Sequence, residues 1–343
     1  MFFIQMEEKI FDIDELTGTV FLSCAACMSV YADALSWANA NKERIVKDPA
    51  LADNIIVLSC QVTDLAVLSD IRTLENYMKK YVGKKYFISG CLAKRLDVKL
   101  EEGVQRLECP RKFYQPIEDK SLVKFEKPFW ITNFEETEEQ LASGNIFRNM
   151  YPLRIGKGCP FNCSYCTIRI TRGKFAECYS NKLEEEFLRF EDVLLTADSP
   201  MINQIKEWHD IAIKHNKPFS IRNVEPSIVC GCRNEFLNLA KKGLLKIFHS
   251  PIQSDNEAVL KDMNRNVKDT FETIELAREL KKYGVVIATN IIIDYKNFVQ
   301  DFSRIMDLYD YVSWNPLWDG KWDRKKAEER FEKYIISKGV ELN

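Results

Sequence analysis

What this chain has little of narrows the field before any motif is considered. It has no excess of positive charge: 49 lysines and arginines stand against 51 aspartates and glutamates, for a net charge of -2 and a pI near 6.1. No global basic field therefore draws in nucleic acid. It has no apolar run near the roughly 20 residues that a membrane-crossing helix needs, and its opening, M-F-F-I-Q-M-E-E-K-I, turns acidic before a signal-like core can form. The expectation is a cytoplasmic protein with no membrane partner. Cysteine, by contrast, is plentiful at eleven residues. Without a secretory signal these fit poorly with a disulfide scaffold and well with reduced thiols serving metal. A chain of 343 residues, 46% of them hydrophobic, is long enough for two domains with a core each.

Three of the cysteines fall in one turn region. Tyr151 to Phe175 reads Y-P-L-R-I-G-K-G-C-P-F-N-C-S-Y-C-T-I-R-I-T-R-G-K-F, which puts Cys159, Cys163 and Cys166 in C-x3-C-x2-C spacing. Leu153 to Gly156 reads as a short strand, Gly158-Cys159-Pro160 as a tight corner, and Tyr165 sits between two of the cysteines. A structural zinc site asks for four ligands, whereas three clustered thiolates leave one iron of a cubane open to hold a cofactor. A disulfide pair, or a zinc knuckle completed by a distant residue, is the rival reading.

Ahead of this loop one pattern occurs three times. Thr19 to Leu22 is an apolar run ending in Cys24-Ala25-Ala26-Cys27, Asn54 to Leu58 is a second ending at Ser59-Cys60, and Lys85 to Ile88 is a third ending at Ser89-Gly90-Cys91. Such runs suit strands buried on both faces, with helices between them over Tyr31 to Asn41 and Asp64 to Tyr81. The result is a parallel α/β sheet, whose strands deliver their C-terminal ends to one edge, where open α/β folds build their sites. Cysteines past three such ends converge, which predicts a second metal site. Buried free cysteine is the bland alternative.

Residues 101–148 read as an irregular, charged linker, with Cys109 incidental, Pro116 and Pro128, and the acidic run from Glu135 to Glu139. Beyond the loop, strands are expected over Asp192 to Thr196, Lys217 to Arg222, Leu245 to His249 and Val285 to Ile293, with helices over Ile202 to His215, Asn234 to Lys242 and Lys268 to Tyr283. Strand–helix alternation of this length predicts a parallel sheet curled into a barrel or part of one. A charged, helix-like segment, Trp322 to Lys338, closes the chain.

The cysteine loop is similar to the signature of the radical S-adenosylmethionine (SAM) enzymes, and the cysteine-bearing domain before it resembles their methylthiotransferase branch. I-I-V-L-S-C-Q-V-T from Ile55 to Thr63, I-S-G-C-L-A-K from Ile88 to Lys94, T-R-G-K from Thr171 to Lys174 and H-S-P-I-Q-S-D-N-E-A-V-L-K-D-M-N-R from His249 to Arg265 carry the likeness. It implies an α/β domain over 1–100 and an open (β/α)6 partial barrel over 149–320. It further implies a [4Fe-4S] cluster on Cys159, Cys163 and Cys166 whose open iron holds SAM, and an auxiliary [4Fe-4S] cluster on Cys60, Cys91 and Cys27, with Cys24 as the alternative to Cys27. Asp33, six positions after Cys27, favours Cys27; Val30, where the family has asparagine, does not. Tyr165, Arg222, Gln253, Ser254 and Asn290 are the expected cofactor-binding residues, although polar residues at strand ends often only cap helices, and His249 reads equally as a satisfied buried histidine.

In the implied reaction, an external donor of flavodoxin or ferredoxin type reduces the first cluster, SAM is cleaved to methionine and a 5′-deoxyadenosyl radical, and the auxiliary cluster donates methylated sulfur to the carbon radical. There are departures. Asp294-Tyr295-Lys296-Asn297 replaces the family's glycine-rich turn, Asn290 stands where aspartate is common, and Cys230-Gly231-Cys232 is unexpected, read as structural with a labile third metal as the alternative. The tail at 321–343 leaves no room for the family's carboxy-terminal β-barrel, which with the balanced charge favours a peptide or protein substrate, such as a ribosomally made precursor peptide, over tRNA. A tRNA base and a non-catalytic iron–sulfur electron carrier or sensor are the alternatives.

Overall fold

The structure, a computed structural model, describes residues 9–24, 27–61, 63–108, 117–125, 146–147, 149–178, 182–293, 295–316 and 322–329. The chain divides into two compact units, one made of 1–134 with 320–343 and the other of 135–319.

The first unit runs β1 (Ile10–Phe11), β2 (Val20–Cys24), α1 (Met28–Ala40), β3 (Asn54–Ser59), α2 (Asp64–Lys80), β4 (Lys85–Gly90), β5 (Val104–Leu107) and β6 (Lys124–Phe125). Its strands form one parallel sheet in the order β1-β5-β4-β3-β2-β6. Every residue of β2 and β3 is buried, as continuous apolar runs require when both sheet faces are covered. Thr63 starts α2 by accepting from the Ala66 amide at 3.1 Å, and Lys79 and Lys80 sit in the last turn, where cations suit the helix dipole. The core gathers Phe21, Ile55, Val57, Val67, Ile71, Leu74 and Ile88, with Trp322 packed against it.

Two segments differ from expectation. β5 and β6 lie inside the stretch read as a linker, yet both are strands of the first sheet. The guanidinium of Arg106 on β5 is buried and donates to the carbonyls of Leu92 and Val98, so it fastens the turn that follows Cys91. Only a tertiary partner gives so polar a strand its place. The tail, helical over 324–329, also belongs to this unit, through Arg324 on Glu75 at 2.6 Å. Cys109 and the acidic run at 135–139 lie outside the described residues.

The second unit runs β7 (Tyr151–Arg154), β8 (Gly156–Lys157), α3 (Ile168–Thr171), β9 (Ala176–Glu177), α4 (Leu183–Arg189), β10 (Val193–Thr196), α5 (Ile202–His215), β11 (Phe219–Arg222), α6 (Pro226–Gly231), α7 (Arg233–Lys241), β12 (Leu245–His249), α8 (Glu257–Asp262), α9 (Val267–Lys281), β13 (Val286–Ile293), α10 (Ser303–Met306) and β14 (Tyr311–Pro316). Six parallel strands stand in the order β14-β13-β12-β11-β10-β7, so each neighbours the next one in sequence. That is the strand order of an open (β/α)6 partial barrel. β8 and β9 pair separately and antiparallel, and the cysteine loop lies between them. All six C-terminal strand ends share one edge, which collects residues 155–160, 197–200, 223–225, 250–254 and 290–293.

Candidate active site

The cysteine loop is shaped by a glycine and a buried carboxylate. Gly158 has φ +81°, and a Cβ there would come 2.2 Å from the Lys174 carbonyl oxygen, so only glycine lets the loop lie against the 173–174 turn. The amide of Gly158 donates to Asp198 Oδ2 at 2.8 Å, and the same carboxylate takes Arg154 at 2.9 Å and Arg172 at 3.7 Å. All three side chains are at most 4% exposed. Asp198, just past β10, thereby ties the end of β7, the loop and the turn after α3 to one point. No motif pointed to it, because its partners lie 44 and 26 residues away.

The far side of the loop rests on the end of α8. Asn264 takes φ 55°, the left-handed conformation that ends helices, and its side chain donates to Asn162 O at 2.8 Å. Ser164 donates through its amide to Met263 O at 3.1 Å and through Oγ to Asp262 O at 2.9 Å. Arg265 Nη1 reaches Cys163 Sγ at 3.7 Å and Tyr165 OH at 3.4 Å, while Nη2 donates to Pro251 O at 2.8 Å and pairs with Glu225 at 3.6 Å. The Tyr165 ring packs on Val259, Met263, Ile292 and Tyr295. Tyr165 thus wedges the loop onto the barrel, and Tyr295, from the turn that departs from the family pattern, lies 3.2 Å from Ser164 Oγ and donates to Asp262 at 2.7 Å.

Burial pushes the Cys159 thiol up to about 11 and the Cys166 thiol up to about 12, and neighbouring cysteine sulfurs push the same way. Such thiols ionise only when a metal displaces the proton. The three are half-buried. A tetrahedral ion with bonds of about 2.3 Å to sulfur would draw its ligands close together. Among the described residues the donor group drawn within 4.8 Å is instead Cys230, Asp269 and Glu272. Three soft, half-buried thiols on a fixed loop, with the Arg265 contact to one sulfur, fit an iron–sulfur cluster.

The expected cofactor residues divide. Gln253 has φ 68°, and its backbone bonds on both sides to β13, from its amide to Asn290 O at 2.9 Å and to its carbonyl from Ile292 at 2.8 Å. This holds it at the strand edge. Ser254 is fully buried; it donates to Gln300 at 2.7 Å and accepts from the Asn256 amide at 3.1 Å, while the cap of α8 is Asn256 itself, whose side chain takes the Ala258 and Val259 amides. The Arg222 guanidinium lies 5.4 Å over the ring of Phe147. Asn290 Oδ1 accepts from His249 Nε2 at 3.1 Å, and His249 Nδ1 accepts from the Asn223 amide at 3.0 Å. His249 is the satisfied buried histidine: burial, aided by the Arg222 charge, holds its pKa down to about 3. As a neutral Nε2–H tautomer it staples the ends of β11, β12 and β13 together. Ser250 Oγ beside it is buried without a hydrogen-bond partner among the described residues.

The first unit carries the other cysteines. Cys24 ends β2, fully buried and opposite Leu58, while half-buried Cys27 stands at the N-cap of α1 with its carbonyl taking the Tyr31 amide. Cys60 follows β3 and Cys91 follows β4, both buried, and β2, β3 and β4 are neighbours in the sheet. Gly90 (φ +87°) lets these ends close up, since a Cβ there would lie 2.4 Å from Ser59 O, and the Cys91 amide donates to that oxygen at 3.1 Å. Asp70, fully buried on α2, accepts the Cys60 amide at 2.6 Å, and burial holds its carboxyl well above the usual range. Like Asp198 it is a buried acidic side chain that takes a backbone amide at or beside a cysteine, and no motif marks it in the sequence. Cys230 and Cys232 reach different carbonyls, those of Asp269 and Ile202.

Residues 153–309 match the radical SAM superfamily. The chain is also 27% identical over 311 residues to the ribosomal protein uS12 methylthiotransferase RimO of Caldicellulosiruptor saccharolyticus, covering 80% of this chain and 67% of that protein. It is 26% identical to the protein of the same name from Clostridioides difficile over the same shares, and 24% identical to that of Thermosipho melanesiensis over 85% and 75%. Among solved structures, the radical S-adenosylmethionine methyltransferase TsrM of Kitasatospora setae reaches a TM-score of 0.48 at 11% identity over 80% of this chain and 68% of that one, too slight a likeness to place any residue. Among the described residues, no helix is long and apolar enough to cross a membrane.

Proposed function

The chain belongs to the radical SAM superfamily through residues 153–309, and from that premise we propose that it inserts a methylthio group at an unactivated C–H bond of a peptide or protein, with sulfur drawn from a second [4Fe-4S] cluster on Cys27, Cys60 and Cys91. The observation that carries this reading is the juxtaposition of cysteines past β2, β3 and β4 in a unit that a radical initiator alone would not need. Its relatives support it in two ways. Their similarity extends over 311 residues, well beyond the matched domain, and their names specify a ribosomal protein as what they modify.

Cys159, Cys163 and Cys166 would hold the first cluster. Bound there, cluster and SAM supply a one-electron cleavage that generates an oxidant for C–H bonds. The chain's own residues do the rest. Asp198, Arg154 and Arg172 fix one side of the loop, and Asn264, Tyr165 and Tyr295 fix the other. His249, bridging Asn223 and Asn290, holds the strand edge where Gln253 and Arg222 stand ready for cofactor or substrate. Apolar Val224, Ile252 and Ile292, all nearly or fully buried, keep water from that edge.

The test is iron and sulfide per chain after anaerobic reconstitution. Intact protein should hold about eight irons and Cys60→Ala about four, as two cubanes require. Incubation with peptide, SAM and dithionite as the electron source should then give a mass gain of one methylthio group less the hydrogen it replaces. Four irons in the intact protein, or cofactor cleavage without that mass gain, would remove the sulfur-transfer reading.

A further inference from the structure

The family resemblance assigns no role to Arg265, yet its guanidinium reaches a sulfur of the cysteine loop. Its guanidinium is 3% exposed, sits 3.7 Å from Cys163 Sγ, and is held from behind by Pro251 O and by Glu225, itself 10% exposed. Arg265 Nε has no hydrogen-bond partner among the described residues. A buried cation placed for charge alone would sit centred on its carboxylate. Here the pair with Glu225 is loose, at 3.6 Å, and one Nη is shared between a sulfur and the Tyr165 phenol.

We propose that Arg265 sets the reduction potential of the cluster held by Cys159, Cys163 and Cys166, through an N–H···S hydrogen bond to Cys163, with Glu225 as the opposing charge that limits the effect. One-electron reduction adds one negative charge to the cluster and its thiolates. A guanidinium against one of those sulfurs, shielded from water, stabilises the reduced form more than the oxidised form. The potential rises, and a donor of modest strength can deliver the electron. Glu225 pulls the other way from the far side of the same guanidinium. The turn that delivers Arg265 is built for the purpose: left-handed Asn264 ends α8, and Asn266 begins α9 by capping the Asp269 amide at 3.1 Å. Arg265 is thereby pinned between two helix termini. The proposal rests on the radical SAM reading of the loop and not on methylthiolation.

The experiment is a redox titration of the reconstituted full chain with dithionite, followed by electron paramagnetic resonance on the signal that changes when SAM is added. That criterion separates this cluster from any second one. Arg265→Gln should lower the equilibrium constant for reduction at least tenfold, a drop of about 59 mV for one electron. Arg265→Lys keeps the charge and should lose less. Glu225→Gln should move the potential in the opposite direction, which a merely structural role would not produce. The proposal is overturned by an iron-loaded Arg265→Gln protein within threefold of the parent, or by Gln substitutions at Glu225 and Arg265 that shift the potential the same way. If Arg265→Gln fails to hold iron, the Glu225→Gln shift decides: upward supports the proposal, and none or downward overturns it. A parent protein with no SAM-responsive signal would instead sink the superfamily reading.

Discussion

Asp198 gives the sharpest test of how the cysteine loop is held. Its carboxylate, 3% exposed, meets Arg154 at 2.9 Å, Arg172 at 3.7 Å and the Gly158 amide at 2.8 Å. Asp198→Asn keeps the shape and can still accept from Gly158, but it leaves two buried guanidinium groups with less opposing charge. Removing one partner of a buried ion pair costs about 3–5 kcal/mol, and the retained hydrogen bond argues for the low end, about 3 kcal/mol. Solvent screening does not reduce this as it would at the surface. Since a domain has about 5–15 kcal/mol in hand, the variant should still fold, with its unfolded fraction raised roughly a hundredfold. Two units can unfold separately, so peptide-resolved hydrogen exchange over 151–178, with and without denaturant, is the suitable assay. Glu257→Gln, which breaks an exposed pair with Lys261, should be indistinguishable from the parent. A loss below about 1 kcal/mol for Asp198→Asn would mean that the arginines are paired well enough by other groups, and the account of the loop would fail.

Two further tests follow from geometry. Gly158→Ala and Gly90→Ala each set a Cβ within 2.2–2.4 Å of a carbonyl oxygen at a positive φ; with about 1–2 kcal/mol of left-handed strain apiece, each should cost half of the bound iron by spoiling a different cysteine site. Full iron in both variants would refute the close-approach argument. His249 tests the strand-end staple by pH. Its pKa is held near 3 from an unfolded value of 6.5, so its contribution is complete above the unfolded pKa and is lost as the pH falls toward the folded one, because the unfolded chain takes up a proton that the folded chain refuses. Between about pH 6 and pH 4 the parent should lose about 1.4 kcal/mol per pH unit more than His249→Gln. Equal slopes would place a charged histidine at that edge.

Local chemistry made much of this protein legible from its sequence. The C-x3-C-x2-C loop, the strand runs ending at Cys24, Ser59 and Gly90, and the helix over Ile202–His215 depend on neighbours in the chain, on β-branched or amphipathic periodicity, and on spacing within one turn. The short polar strands β5 and β6 went unseen because their register comes from the strands beside them. The linker reading failed there for the same reason.

What the sequence determined by itself was the set of soft ligands and the alternation of strand and helix, since thiolate spacing and hydrophobic period are properties of contiguous residues. Tertiary structure alone decided which carboxylates and cations serve those ligands. Asp198 under Gly158, Asp70 under Cys60 and Arg265 against Cys163 are pairings across 40, 10 and 102 residues. A buried charge or polar group is tolerated only where folding brings its partner, and nothing in the local sequence records where that partner will come from.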